Sequence, residues 1–246
     1  MRAWQQILLL VLSLGGSEVA AAGEQPISVH YNTRVPYAYV EHGEVRGLMA
    51  EPIARALKAA KLPFNWVETP FSRQMATIKG NTGADCMIGV FKKPGRERIG
   101  RYSAPVYQDR PQILLVRADD EVSFQRYPSL RAAITDGQFR LLIKESYSYG
   151  PGFDALLQAR KGPTEHVYNE NGQMLRMLAE SMTDALIMAP EEANALIRHR
   201  ELKPEHFAYI RYPDTPAGEW RHLFCSFKVA QSVLDRFNQA LTVASR

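Results

Sequence analysis

The sequence predicts an α/β protein built from two similar units, and three observations predict it. Between residues 27 and 90, short apolar runs suited to buried strands alternate with amphipathic helical segments. The alternation starts again at residue 113 and continues through a helix opened by Pro190. A last apolar run at 223–227 and an amphipathic segment at 229–244 close the chain. Strand–helix–strand order of this kind builds parallel sheets.

In the first unit, residues 27–31 alternate as a strand. A loop from Arg34 to Gly47 follows, with Gly43 marking a turn. Residues 48–62 read as a helix, because Ile53, Ala56, Leu57 and Ala60 fall at i, i+3, i+4 and i+7. Pro52 and Glu51 suit its first turn, the proline by its fixed φ and the acid by the helix dipole. Residues 64–67 form the next strand, and 71–79 a helix with Met75 and Ile78 inward, stopped at Gly80-Asn-Thr-Gly83. Residues 86–90 then read as a buried strand between Asp85 and a Lys/Pro/Gly turn. Its end runs into a loop presenting Arg96 and Arg98. A guanidinium fixed at a strand end is a fork of N–H donors suited to a carboxylate.

The second unit opens with strand 113–116 and includes strand 139–143, which feeds Lys144-Glu-Ser146-Tyr147-Ser148-Tyr149-Gly150. Residues 153–160 look helical, 166–168 extended, 173–181 helical and 185–188 a strand. The Pro190 helix carries Ala193, Leu196 and Ile197 inward. Residues 223–227 are a return strand, and the closing helix buries Val233, Leu234, Phe237 and Leu241.

Composition narrows the function classes. A content of 46% hydrophobic and 23% charged residues is that of a soluble globular protein, long enough at 246 residues for two cores. The net charge is +4, but the 30 Lys and Arg are scattered, which argues against nucleic acid as a partner. Met1-Arg2, the apolar run 7–14 and Ala20-Ala21-Ala22 read as a secretory leader over residues 1–22. The apolar run is too short to span a bilayer. Cys86 and Cys225 lie in apolar runs. Export makes a disulfide between them chemically allowed, but two buried free thiols is the simpler expectation. The six histidines show no zinc-ligand spacing. The phosphate-binding G-x-x-x-x-G-K-[ST] and the G-x-S-x-G nucleophile elbow are both missing, so no metal, cofactor or catalytic set is expected.

Several motifs together resemble a known family. Pro36-Tyr37-x-Tyr39 followed by Gly43-x-x-x-Gly47 resembles the "PPF-x-Y…G-x-x-x-G-F-D" opening of type II periplasmic solute-binding proteins, the amino-acid-binding type of bacterial extracellular solute-binding protein family 3. Glu51 stands at that family's helix acid. Gly80-x-x-Gly-Ala-Asp85 is similar to its "G-x-x-D" step, and Pro94-Gly-Arg96 with Arg101-Tyr-Ser-Ala-Pro105 to "P-E-R…D-F-S-x-P-Y". Lys144 to Gly150 matches its second-lobe loop, and Asp184-Ala-Leu-Ile its "D-A-V-V". The resemblance spans the chain after the leader.

It implies two α/β lobes, residues 23–112 with 218–246 and residues 113–217, joined by two crossover strands around a cleft. It implies that Arg96 pairs with a ligand carboxylate, that Tyr37 is an aromatic wall, and that Ser146, Tyr147 and Ser148 add contacts from the second lobe. This chain departs from the pattern in places. Phe91 replaces a carboxylate-binding threonine and becomes a candidate wall or a cap on the sheet. Ala189 stands where the family has the acid for an α-ammonium, with Glu191 or Glu192 as replacement. The carboxylate half of an amino-acid grip is therefore retained and the amine half is not recognisable. Plainer readings stand beside these: Arg96 as a solvated loop arginine beside Glu97, the two serines as helix caps, Lys144 as a solvated strand end, and Arg98 and Arg101 as surface or salt-bridge charges.

The expected function is a soluble, monomeric periplasmic protein that captures a small carboxylate-bearing solute, an amino acid or related organic acid, by hinge closure. It would hand the solute to the permease of an ABC importer. Two alternatives share the fold: a sensory or accessory module acting with a membrane receptor, and a dehydratase-like enzyme using Glu191 or Glu192 as its acid.

Overall fold

The computed structural model of the protein describes residues 25–145 and 147–244. The leader proposed for residues 1–22 lies outside the described residues. The described residues form two large sheets with helices on both faces of each, and one small two-stranded hairpin.

The first sheet starts with β1 (Ile27–Tyr31). A small hairpin of β2 (Tyr39–Glu41) and β3 (Glu44–Arg46) turns through Gly43, as the loop sequence predicts. Next come α1 (Ala50–Ala59), β4 (Phe64–Glu68), α2 (Phe71–Gly80) and β5 (Asp85–Phe91). A 3-10 turn (Arg96–Arg98) and short strands β6 (Arg101–Tyr102) and β7 (Tyr107–Gln108) complete this part. β1 lies between β4 and β5, parallel to both.

The chain then crosses to the second sheet. It holds β8 (Ile113–Arg117), the short α3 (Glu121–Gln125), α4 (Leu130–Asp136), β9 (Leu141–Lys144), α5 (Pro151–Gln158) and β10 (Thr164–Val167). It continues through α6 (Asn171–Ala179), β11 (Ala185–Met188), α7 (Pro190–His199) and β12 (Phe207–Ile210). The strand order is β10-β9-β11-β8-β12, with β8 antiparallel to both neighbours. The chain crosses back, and β13 (Trp220–Cys225) inserts antiparallel between β5 and β6 before α8 (Gln231–Ala244) ends the fold.

Both sheets are buried on both faces, which explains the continuous apolar runs in the strands. Along β8, Leu114 and Val116 face Phe124, Ile134 and Phe153 of α3, α4 and α5, while Ile113 and Leu115 face Leu175, Leu178 and Ile197 of α6 and α7. In the first sheet, Ile53 and Leu57 of α1 and Leu234, Phe237 and Leu241 of α8 cover one face, and Ile78 of α2 packs on Met87 and Phe224 at the other.

The two thiols are not free. Cys86 on β5 and Cys225 on β13 stand opposite each other in register and form a disulfide. Each lay in an apolar run that looked self-sufficient, and their adjacency depends on a strand pairing made across 139 residues. Arg101 is likewise engaged, donating to the carbonyls of Phe227 and Val229 at 3.0 and 3.1 Å.

The two crossing segments, 109–112 and 211–219, run side by side. The Asp109 amide donates to the Glu219 carbonyl at 3.0 Å. A side chain at Gly218 would collide with the Asp109 carbonyl, so only glycine allows this approach. Asp109 and Arg221 join the end of one crossing to the start of β13 through a buried two-pronged pair, Nε to Oδ1 and Nη2 to Oδ2, both 2.6 Å.

Candidate functional site

Where a parallel strand ends and a helix begins, the fold leaves a crevice floored by helix N-termini. Here both sheets present such ends to one cleft. The first sheet contributes Gly89, Val90 and Phe91 from the end of β5, with Arg96 beyond it, Phe71 from α2, Arg34 from the loop after β1, and Arg221 from β13. The second contributes Tyr147 to Tyr149 before α5, Asn171 of α6, Ile187 to Ala189 after β11, and Glu192 in the first turn of α7. An inner extension is lined by Asn32, Tyr37, Met49 and Ile88. The space left between side chains is about 30 Å³, on the order of one or two waters, so the walls meet across the cleft.

The strongest contact between the walls is one the sequence did not signal. The Arg34 guanidinium grips Glu192 in two-pronged fashion, Nε to Oε1 at 2.5 Å and Nη2 to Oε2 at 2.6 Å. Its third nitrogen, Nη1, lies 3.4 Å from the Tyr147 hydroxyl. The charged plane also sits over the rings of Tyr37 and Tyr147, at 5.0 and 5.2 Å. The Glu192 side chain is 1% exposed, and Asn171 Nδ2 donates a third hydrogen bond to its Oε1 at 2.7 Å. Burial alone would raise the glutamate pKa, but the Arg34 charge and hydrogen bonds outweigh it and hold the group below its usual value. Burial likewise works against the Arg34 charge, and Glu192 restores it, so both partners are ionised.

Arg34 is placed by its own backbone. Its carbonyl accepts from Tyr37 and Ala38 at 2.8 and 3.0 Å, and its amide donates to the Ala38 carbonyl at 2.7 Å. Gly47 then lets this tight loop dock on the start of α1. At φ +121° a Cβ there would lie 2.5 Å from the Pro36 carbonyl oxygen, which gives the second glycine of the G-x-x-x-G pattern its physical role.

The predicted residues occupy varied positions. Arg96 is buried and lines the cleft, with Nη1 donating to the Phe91 carbonyl at 3.1 Å. It is therefore not a solvated loop arginine. Phe91 is buried at the same wall, with Arg221 over its ring at 4.5 Å. Tyr37 is buried with Arg221 over its ring at 4.0 Å, and its hydroxyl has no hydrogen-bond partner among the described residues. Burial raises its pKa well above the usual tyrosine value, so it stays a neutral donor.

Tyr147 closes the cleft against Phe71, ring centroids 4.4 Å apart. Ser148 lines the cleft, but its hydroxyl donates to Asp154 Oδ2 at 2.6 Å and accepts from the Gly150 amide at 3.2 Å, the helix-start role of the plainer reading. Ser146 lies outside the described residues. Glu191 turns away from the cleft toward the crossing segments, where it accepts from the Arg110 amide at 2.9 Å and the Tyr107 hydroxyl at 3.3 Å. Burial and then the Glu191 charge push the Tyr107 hydroxyl up to about 12.

Lys144 corrects the expectation of a solvated strand end. It is buried, bonded to Glu170 at 2.7 Å and set over the Tyr147 ring at 4.8 Å. Glu170 also accepts from Asn32 Nδ2 at 3.0 Å, a second polar tie between the two sheets.

In sum of charge, the lining carries Arg34, Arg96 and Arg221 against Glu192, with Asp109 behind Arg221. Three helix N-termini add positive potential from the second sheet's side. Such a surface suits an anionic group. Among the described residues no cluster of His, Cys, Asp or Glu could hold a metal ion, and no helix is long and apolar enough to cross a membrane.

Comparison with curated proteins returned no sequence match. Solved structures match over nearly the whole chain. The arginine-, lysine-, histidine-binding protein ArtJ from Geobacillus stearothermophilus superposes with a TM-score of 0.70 at 15% identity, covering 90% of this chain and 89% of ArtJ. The amino acid ABC transporter substrate-binding protein AbpA from Streptococcus pneumoniae, bound to L-arginine, gives 0.70 at 14% identity over 90% and 89%. Holo ArgBP from T. maritima gives 0.69 at 12% identity over 90% of both chains. At such identities the likeness is one of fold. The sequence profile described as "Bacterial extracellular solute-binding proteins, family 3" matches residues 27–244, and the chain belongs to that family.

Proposed function

We propose that this protein is exported through the leader at residues 1–22, captures a small carboxylate-bearing solute in the periplasm, and delivers it as a monomer to an ABC-type permease. The observation that carries this reading is the cleft between the two sheets, with Arg96 and Arg221 buried in its wall beside Arg34. A guanidinium in such a wall, with helix N-termini opposite, favours a carboxylate over a neutral solute. The structural neighbours ArtJ and AbpA are amino-acid binders, ligands that all carry a carboxylate, which supports the same class. Membership of a binding-protein family supports a non-enzymatic role.

The working cycle is a hinge motion. The lobes, residues 23–112 with 218–246 and residues 113–217, part to admit the solute, because the closed cleft has no room for one. They close with Arg96, Phe91 and Tyr37 on one side and Tyr147 and Ser148 on the other. Glu191 serves the hinge rather than the solute, through Tyr107 and Arg110.

The test is titration calorimetry of the wild type and Arg96→Ala against acids found by thermal shift. A ligand at 100 times its Kd adds about 2.7 kcal/mol of stability, easily seen in such a screen. Losing a hydrogen bond to a charged group costs about 1.5–3 kcal/mol, so Arg96→Ala is expected to weaken binding at least tenfold. Unchanged affinity in a folded variant overturns the assignment.

A further inference from the structure

We infer that this cleft selects carboxylates that carry no ammonium group, because Arg34 already occupies the carboxylate that an ammonium would need. The inference rests on the carboxylate-binding reading and specifies its substrate class.

Among the described residues lining the cleft and its inner extension, Glu192 is the one acid. Both of its oxygens are engaged, and its charge is balanced by Arg34. Oε1 accepts from Arg34 Nε and Asn171 Nδ2, and Oε2 accepts from Arg34 Nη2. The other nearby carboxylates are committed elsewhere: Asp109 to Arg221 through both oxygens, and Glu170 to Lys144 and Asn32 through Oε2.

An ammonium meeting Glu192 would either displace Arg34 or set a second positive charge beside it on a single buried carboxylate. With the ligand's own carboxylate held by Arg96, displacement would trap the Arg34 guanidinium between the Tyr37 and Tyr147 rings without its partner, and burying a charge unpaired is strongly unfavourable. Arg34 cannot easily withdraw. Its backbone is bonded to Ala38 and Tyr37, and Val35 beside it packs into the apolar core of the second sheet.

The polar groups left over in the cleft lining are neutral; Glu191, whose Oε2 is buried without a hydrogen-bond partner among the described residues, does not line the cleft and turns its Oε1 to Arg110 and Tyr107. The Asn171 Oδ1 atom and the Tyr37 hydroxyl are buried without a hydrogen-bond partner among the described residues. An amide oxygen and a phenol suit a ligand hydroxyl or keto group, and neither balances the charge of an ammonium. A hydroxy or keto acid therefore fits the closed cleft, and the amino acid of the same shape does not.

The experiment uses matched pairs that exchange only hydroxyl for ammonium: glycolate and glycine, lactate and alanine, malate and aspartate, 2-hydroxyglutarate and glutamate. Calorimetry on the wild-type protein is expected to find at least one hydroxy acid bound ten times or more tightly than its amino partner. In Arg34→Ala, where Glu192 is left for an ammonium, that ratio is expected to fall at least tenfold. If the variant does not fold, the wild-type ratio alone decides. A wild type that binds the amino member equally or more tightly overturns this inference while leaving the carboxylate reading intact. So does an unchanged ratio in folded Arg34→Ala. Failure of all eight acids to bind overturns both.

Discussion

Removing the Cys86–Cys225 bond tests how far the first sheet depends on a link between the two ends of the chain. The perturbation is the double substitution Cys86→Ala/Cys225→Ala. The bond joins neighbouring strands β5 and β13 but closes a loop of 139 residues. A chain-entropy treatment of a loop that long gives about 5 kcal/mol of stabilisation. With a urea slope of about 2–3 kcal/mol/M, the unfolding midpoint should drop by about 2 M. Trp66 on β4 and Trp220 on β13 both belong to the first sheet, so tryptophan fluorescence of the protein without residues 1–22 follows the region concerned. Wild-type protein unfolded and refolded in reductant should reproduce the variant's midpoint, and reductant should not move the variant. Both cysteines are fully buried, so reductant added to folded protein should act only as fast as the sheet opens. A variant within about 1 kcal/mol of the oxidised wild type would refute the reasoning, because the loop constraint would then not limit the unfolded chain.

Two further tests concern carboxylates outside the cleft lining. Asp184 accepts from Arg140 and Arg117, and despite burial working the other way these bonds lower its pKa from 3.8 to about 2. A depressed carboxylate stabilises above its unfolded pKa and ceases to do so as pH falls through the folded one. Asp184→Asn should therefore cost about 2 kcal/mol at pH 7, with the difference from wild type vanishing between about pH 4 and pH 2 in urea titrations; a pH-independent difference would contradict the assignment. Asp109→Asn leaves Arg221 buried without its carboxylate and should cost about 3–5 kcal/mol, read as a lowered thermal midpoint. An unchanged midpoint would mean that the pair does not hold the crossing segments.

Much of the fold was legible because its signals are local. Ile53, Ala56 and Leu57 recur at helical spacing and are buried, and the strands are apolar because helices cover both faces. The site was only partly legible, for reasons of geometry. Glu191 and Glu192 are adjacent in the first turn of α7, but successive helical residues point about 100° apart. One faces the crossing segments and the other the cleft, and composition cannot say which. Arg34 sits in an irregular loop with no periodicity, and its partner lies 158 positions away. Arg221 lies before the apolar run read as a strand at 223–227 and acquires meaning only beside Asp109. The Cys86–Cys225 pairing depends on register, which is set when β13 enters between β5 and β6.

That late entry of β13 also sets an order of assembly. The second sheet is drawn from one uninterrupted stretch, β8 to β12. Chains emerge N-terminal end first, so this sheet can be completed while the first still lacks a strand. Until residues 220–225 arrive, β5 presents an open edge, the kind of surface on which chains aggregate, and the Cys86 thiol has no partner. The sequence contains only two cysteines, so no wrong pairing within the chain is available during that wait. An oxidising compartment can then seal the sheet in one step, without a disulfide-reshuffling phase.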